Sequence, residues 1–138
     1  MKVFVAIIVL GVAMRAQGFN PPARYNARSR HFFWTLENKV NVGILAGLVA
    51  ADAITTQRGL NQGLREVNPL MRPFVTRGAT GEAAGSALGF GAAVGAVYLL
   101  HRSHHYKMER IAMRLIVAGE AGWVANNIVA IRQGTGKR

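Results

Sequence analysis

The chain has 138 residues, a mass of 14.9 kDa and a formal net charge of +11 at pH 7. This length allows one domain of ordinary size, and the lack of cysteine excludes disulfides, thiolate metal sites and thiol redox chemistry. The seventeen Lys and Arg residues fall in groups beside apolar segments, a distribution that is typical of membrane proteins and that argues against nucleic-acid binding.

The first eighteen residues have the layout of a secretory signal peptide. Lys2 precedes an apolar run from Val3 to Met14, and the small residues Ala16 and Gly18 follow it. Twelve helical residues rise about 18 Å, which is less than the ~30 Å thickness of a hydrocarbon core. We therefore predict a signal peptide or signal anchor at 1–18, followed by a single membrane domain at 19–138.

Three longer segments are predicted to be membrane-spanning helices, at about 37–57, 79–101 and 108–132. About 20 residues suffice to cross a bilayer, so each segment is long enough. The segment from Ala83 to Leu100 has no charged side chain. The prediction is an all-α, three-helix transmembrane bundle.

Polar residues within these helices are expected to face the interior of the bundle, because ionisable groups at membrane depth cost a few kcal/mol each. Antiparallel helices would bring most of them to one end. The predicted intramembrane polar cluster consists of Asp52, Thr55, Thr56, Glu82, Ser86, Glu120, Asn126 and Asn127. Two interpretations stay open: a plug in which Asp52 or Glu82 pairs with Arg58 or Arg65, and a small polar cavity for a proton, an ion or a headgroup.

Glycines mark the second predicted helix as a packing element. They are Gly81, Gly85, Gly89, Gly91 and Gly95. Small residues at four-residue spacing allow two helix backbones to approach closely in lipid. One face is expected to pack within the chain, and the other is expected to bind another copy or other membrane subunits.

A histidine-rich segment contains a candidate metal site. On an unbroken helix His101, His105 and Glu109 would share one face, as metal ligands can. A turn between two helices is expected here instead, so no metal and no cofactor is assigned. Without cysteine or a serine in a nucleophile-elbow motif, no catalytic residue is assigned either.

Two short motifs lie within residues 52–74, an Asp-x-x-Thr-Thr helix end and a Glu-x-Asn-Pro-Leu loop. They comprise Asp52, Thr55, Thr56, Glu66, Asn68, Pro69 and Leu70. Asn before Pro favours a turn. The pattern resembles small uncharacterised bacterial integral membrane proteins. The resemblance implies a location in the bacterial inner membrane and brings no activity with it.

These observations predict a structural or interaction component of a membrane assembly, with the lipid bilayer and a homo-oligomer or other membrane subunits as partners. The alternative is a transporter-like or ion-conducting oligomer that uses Asp52, Glu82 and Glu120.

Overall fold

A computed structural model describes residues 31–66 and 68–135, so the predicted signal segment lies outside the described residues. All regular elements in the described part are helices. They are α1 (Leu36–Asn61), α2 (Arg72–Val75), α3 (Gly78–Arg102) and α4 (Tyr106–Thr135). The three long helices begin and end slightly outside the predicted bounds, and the short α2 lies in the predicted loop. Pro73 is in its first turn, where a missing N–H costs nothing.

Local hydrogen bonds explain where α1 begins and ends. The Thr35 hydroxyl accepts from the Asn38 N–H at 3.2 Å, which makes Thr35 the N-cap. At the other end Gly63 adopts φ +85°. Its N–H donates to the Leu60 carbonyl, and the Leu64 N–H donates to the Gly59 carbonyl. This is a Schellman motif, in which a glycine in the left-handed region ends the helix.

The turn between α3 and α4 uses the same motif without glycine. His104 has φ 62°, and its N–H donates to the His101 carbonyl. The His105 N–H donates to the Leu100 carbonyl at 2.9 Å. The turn predicted by the sequence is therefore present, and it reverses the chain so that α4 returns along α3.

The three long helices pack against one another, with α1 in its most extensive contact with α4. The core lies towards the end where α3 meets α4. It contains Phe33, Leu45, Val97, Leu100, Ala112, Met113 and Ile116. It is a small core for a chain of this length, and much of the apolar surface remains outside it.

Two helices, α1 and α3, are long and apolar enough to cross a membrane. Only 11% and 17% of the residues in their most apolar windows are buried within the protein. A core helix of a water-soluble protein would be mostly buried. α4 is long enough but not apolar enough to meet the same criterion. The structure therefore supports two of the three predicted spans.

The glycines of α3 divide into two groups. A Cβ atom on Gly81 would collide with the Phe74 carbonyl oxygen, and one on Gly85 would lie 2.9 Å from Met71 Cε. The segment around α2 therefore packs directly on the start of α3. Added Cβ atoms at Gly89, Gly91 and Gly95 would meet nothing within 4 Å among the described residues.

This division predicts opposite effects of one substitution at two positions. Gly81→Ala should lower the free energy of unfolding in detergent micelles by about 1–3 kcal/mol, because the backbone at Phe74 has to move. Gly89→Ala is the matched control and should leave it unchanged or raise it by up to about 1 kcal/mol. Denaturant titration followed by circular dichroism measures both. Equal effects would contradict the packing of α2 on α3.

Candidate functional site

A buried hydrogen-bonded network joins α1 to α4. The side chain amide of Asn127 donates to Asp52 Oδ1 at 2.9 Å, to Thr56 Oγ1 at 3.2 Å and to Thr55 Oγ1 at 3.4 Å. Asp52 is only 2% exposed. The Thr55 hydroxyl donates to the Ala51 carbonyl, so its oxygen is held in place to accept. We call Asp52, Thr55, Thr56 and Asn127 the Asp52 cluster.

The plug interpretation paired Asp52 or Glu82 with Arg58 or Arg65, and the structure shows no ion pair between Asp52 and either arginine. Arg58 and Arg65 are both exposed, and neither has a salt-bridge partner within residues 31–66 and 68–135. Six residues along an α-helix correspond to about 600°, so Arg58 lies on a different face from Asp52. The Asn127 amide, and neither of these two arginines, donates to the carboxylate.

Other members of the predicted polar cluster occupy separate positions. Glu82 is buried near the start of α3, and the Ser86 hydroxyl lies 3.5 Å from its Oε1. Glu120 is half-buried on α4, two turns before Asn127. Asn126 is exposed. The structure thus brings Asp52, both threonines and Asn127 together, and it places Glu82 with Ser86 on one helix.

The Glu66, Asn68 and Pro69 motif forms the turn that leads into α2. The Asn68 N–H donates to Glu66 Oε1 at 2.7 Å, and Asn68 Oδ1 accepts from the Leu70 N–H at 3.1 Å. The Asn68 carbonyl also accepts from the N–H groups of Met71 and Arg72. Asn68 is buried, whereas Pro69 is exposed. The motif residues therefore shape the loop through side-chain-to-backbone hydrogen bonds.

A cavity of about 200 Å³ lies next to the Asp52 cluster. Its polar lining comes from the two helices and the loop, and consists of Thr55, Thr56, Arg65, Glu66, Asn126 and Asn127. Its apolar lining includes Leu60, Leu64, Trp123, Ala130 and Ile131. These apolar residues could not be assigned to a site from the sequence, because only the packing of α1 on α4 brings them to one cavity.

A second buried network lies at the opposite end of α1. Asn38 Nδ2 donates to Glu109 Oε1 at 2.5 Å and to the Phe33 carbonyl at 2.7 Å, and Glu109 Oε2 lies 2.9 Å from His101 Nδ1. Asn38 and Glu109 are both buried. This Glu109 cluster (Phe33, Asn38, His101 and Glu109) links α1, α3 and α4. Asn38 was not predicted from the sequence to belong to a site, although it shares a helix face with Asp52.

The histidine candidate for a metal site is only partly assembled. His101 and Glu109 are paired, but the turn at His104 places His105 outside the helix that carries His101. In the described part of the chain, no group of three or more His, Asp or Glu side chains could hold a metal ion.

The fold and its polar networks define a class: an all-helical protein with two apolar helices of membrane-spanning length and a buried carboxylate held by an amide. Residues 43–133 match the model of a family described as a domain of unknown function, DUF5658, and the chain belongs to this family. No curated protein and no solved structure shows a significant match. The matched range includes the whole Asp52 cluster and the cavity, but not Phe33 or Asn38 of the Glu109 cluster.

The Asp52 cluster predicts a large difference between two adjacent asparagines. Asn127→Leu removes the donor to a buried carboxylate and should lower the free energy of unfolding in detergent by about 2–3 kcal/mol. Asn126→Leu, at an exposed position, should change it by less than about 0.5 kcal/mol. Thermal or denaturant unfolding of both variants measures the effect.

The double variant Asp52→Leu with Asn127→Leu gives the second part of this test. It should lose less stability than the two single variants together, because the unpaired carboxylate has gone. Additive losses would show that Asp52 and Asn127 act independently.

Proposed function

We propose that this chain is a multi-pass protein of the bacterial inner membrane that acts as a structural or interaction component of a membrane assembly. One observation carries the membrane placement: the apolar residues of α1 and α3 are mostly on the outside of the protein. Exposed large apolar side chains on the long helices include Ile44, Ile54, Leu88, Leu99 and Leu115. Contiguous apolar surface of this kind is stable in lipid and unfavourable in water.

We propose that α4 is the third span. The seventeen residues from Leu115 to Ile131 contain one charged side chain, Glu120. They would rise about 25 Å, close to the thickness of a thin bilayer core. The four charged residues Lys107, Glu109, Arg110 and Arg114 lie in the first turns of α4 and would then be at or near the membrane surface.

Membrane fractionation tests the placement. The tagged full-length chain should remain in the membrane pellet after washing with alkaline carbonate and should be released by detergent, because at least two apolar helices lie in the acyl region. A peripheral membrane protein expressed in the same cells is the control and should be released by carbonate. Release of the chain itself into the carbonate wash would refute an integral membrane location.

The interaction role is supported by a face of α3 that is largely exposed among the described residues, although Tyr98 on this face contacts the ring of Phe33. Leu88, Gly91, Gly95 and Tyr98 recur at spacings of three and four, opposite the buried side of the helix. Leu88 is 64% exposed and Tyr98 is 45% exposed. The two glycines leave a shallow depression between them in which a second helix can approach. We propose that this face binds another copy of the chain or another membrane subunit.

Filling the depression tests the assembly role. Gly91→Leu should dissociate the detergent-solubilised assembly, and the shift should be visible as a smaller mass by light scattering after size-exclusion chromatography. Gly122→Leu is the matched control, since Gly122 is also an exposed helical glycine with nothing within 4 Å in the described chain. An unchanged mass for Gly91→Leu, or equal loss in both variants, would contradict an interface on α3.

A transporter-like or ion-conducting oligomer is the second candidate function, and the cavity beside the Asp52 cluster favours it. The candidate would use Asp52, Glu82 and Glu120 as ionisable groups along a path. Against it, Asp52 is held by Asn127 and forms part of the contact between α1 and α4. That position supports a structural role for Asp52 more directly than a transport role.

A further inference from the structure

The cavity beside the Asp52 cluster has three walls and lies at one end of the bundle. α1 and α4 form two walls, and the loop at Leu64, Arg65 and Glu66 forms the third. Among the described residues, α3 contributes nothing to its lining. The cavity therefore lies in the groove between α1 and α4, and the loop that follows α1 closes one side of it.

Its depth in the membrane follows from the length of α1. The helix has 26 residues, so it is about 39 Å long, compared with ~30 Å for the hydrocarbon core. About one turn at each end would thus extend into the headgroup region. The cavity is lined by residues from the last two turns of α1, between Thr55 and Leu60. This level is where phospholipid phosphates meet their acyl chains.

The two charged side chains that line the cavity, Arg65 and Glu66, differ in their hydrogen-bond and ion-pair partners. Glu66 Oε1 already accepts from the Asn68 N–H at 2.7 Å. Arg65 has no ion pair within the two described ranges, although it lines the cavity and is exposed. A guanidinium with a free fork of N–H donors is well suited to a phosphate, which it can bind through two parallel hydrogen bonds.

The rest of the lining is divided between polar and apolar groups. Thr56 and Asn127 present a hydroxyl and an amide, whereas Leu60, Ala130 and Ile131 present only carbon. A soluble anion would leave this apolar part in contact with water. A ligand with a phosphate, hydrogen-bonding oxygens and an attached hydrocarbon chain would satisfy both parts.

The size of the cavity is compatible with such a ligand. One buried water needs roughly 10–15 Å³ on a comparable measure, so about 200 Å³ corresponds to on the order of ten waters. This space is suitable for a phosphoglycerol headgroup and the start of one acyl chain.

We propose that this cavity binds the phosphate-bearing headgroup of a membrane phospholipid, with Arg65 on the phosphate and the first methylene groups of an acyl chain against Leu60, Ala130 and Ile131. The inference depends on the membrane placement in the proposed function. It adds a specific ligand class and a binding residue to that function.

Quenching of tryptophan fluorescence by brominated lipid tests the proposal. Trp123 lines the cavity, and Trp34, the other tryptophan of the chain, lies before α1 at the opposite end of that helix. The full-length chain carrying Trp34→Phe, in detergent, is titrated with phosphatidylglycerol brominated near the start of its acyl chains. Saturable quenching of Trp123 is expected. Brominated diacylglycerol, which lacks the phosphate, should bind at least tenfold more weakly.

Two matched pairs of substitutions locate the site. Arg65→Gln should weaken phosphatidylglycerol binding by about tenfold, the equivalent of one charge-assisted hydrogen bond. Arg58→Gln, at an exposed arginine that does not line the cavity, should leave it within twofold. Ala130→Phe should reduce binding by filling the cavity, whereas Ala125→Phe, at an exposed position on the same helix, should not.

Several outcomes would overturn the proposal. Equal binding by Arg65→Gln and Arg58→Gln would show only general attraction to a basic surface. Equal binding of brominated diacylglycerol would exclude a phosphate site, and displacement of the lipid by glycerol 3-phosphate at similar concentration would identify a soluble phosphate ester as the ligand. If the chain stays in the membrane after carbonate washing and any of these results is obtained, only the lipid site is refuted. If carbonate releases the chain, the membrane placement itself is refuted.

Discussion

The hydrogen bond between Asn127 and Asp52 is the interaction on which the arrangement of this protein depends. Asp52 lies in a helix whose surface is otherwise largely apolar, and a buried carboxylate without a donor would be strongly unfavourable. One amide on α4 donates to this carboxylate and also reaches both threonine hydroxyls. Because these contacts exist at one register only, they fix the position of α4 along α1.

A second buried polar network joins the helices at the other end of the bundle. Glu109 of α4 contacts Asn38 of α1 and His101 of α3, so the three long helices are tied together there as well. Between the two networks the helices are rich in alanine and glycine and bury few large side chains. In lipid, apolar contact between helices has little hydrophobic driving force. Polar contacts at the two ends are then well suited to specify how the helices pair.

Glycine serves different purposes along the chain. Gly63 permits the left-handed conformation that ends α1 and turns the chain back, which positions Leu64 and Arg65 beside α4. Gly81 and Gly85 allow the segment around α2 to lie directly on α3. The cavity depends on the turn at Gly63, since its third wall is the loop that follows this residue. The open face of α3 is a consequence of the glycines that no described segment covers.

Local sequence was sufficient for the helical class, the approximate helix bounds and the turns. Long apolar segments and the Asn-Pro pair act over a few residues, so their effect can be read without the fold. The local sequence also identified Asp52 and Asn127 as polar residues that need partners. It could not choose between Asn126 and Asn127, because adjacent residues on a helix differ by 100° in direction and only the packing of α4 decides which one faces α1.

The tertiary structure alone decided the remaining features. It brought the Asn127 amide to Asp52, joined Asn38 to Glu109 across 71 positions of sequence, and divided one glycine stripe into a packed half and an open half. Each of these depends on the rotation and register of one helix against another. Sequence periodicity defines the faces of a helix, but which face meets which neighbour is set by the balance of all contacts in the folded chain.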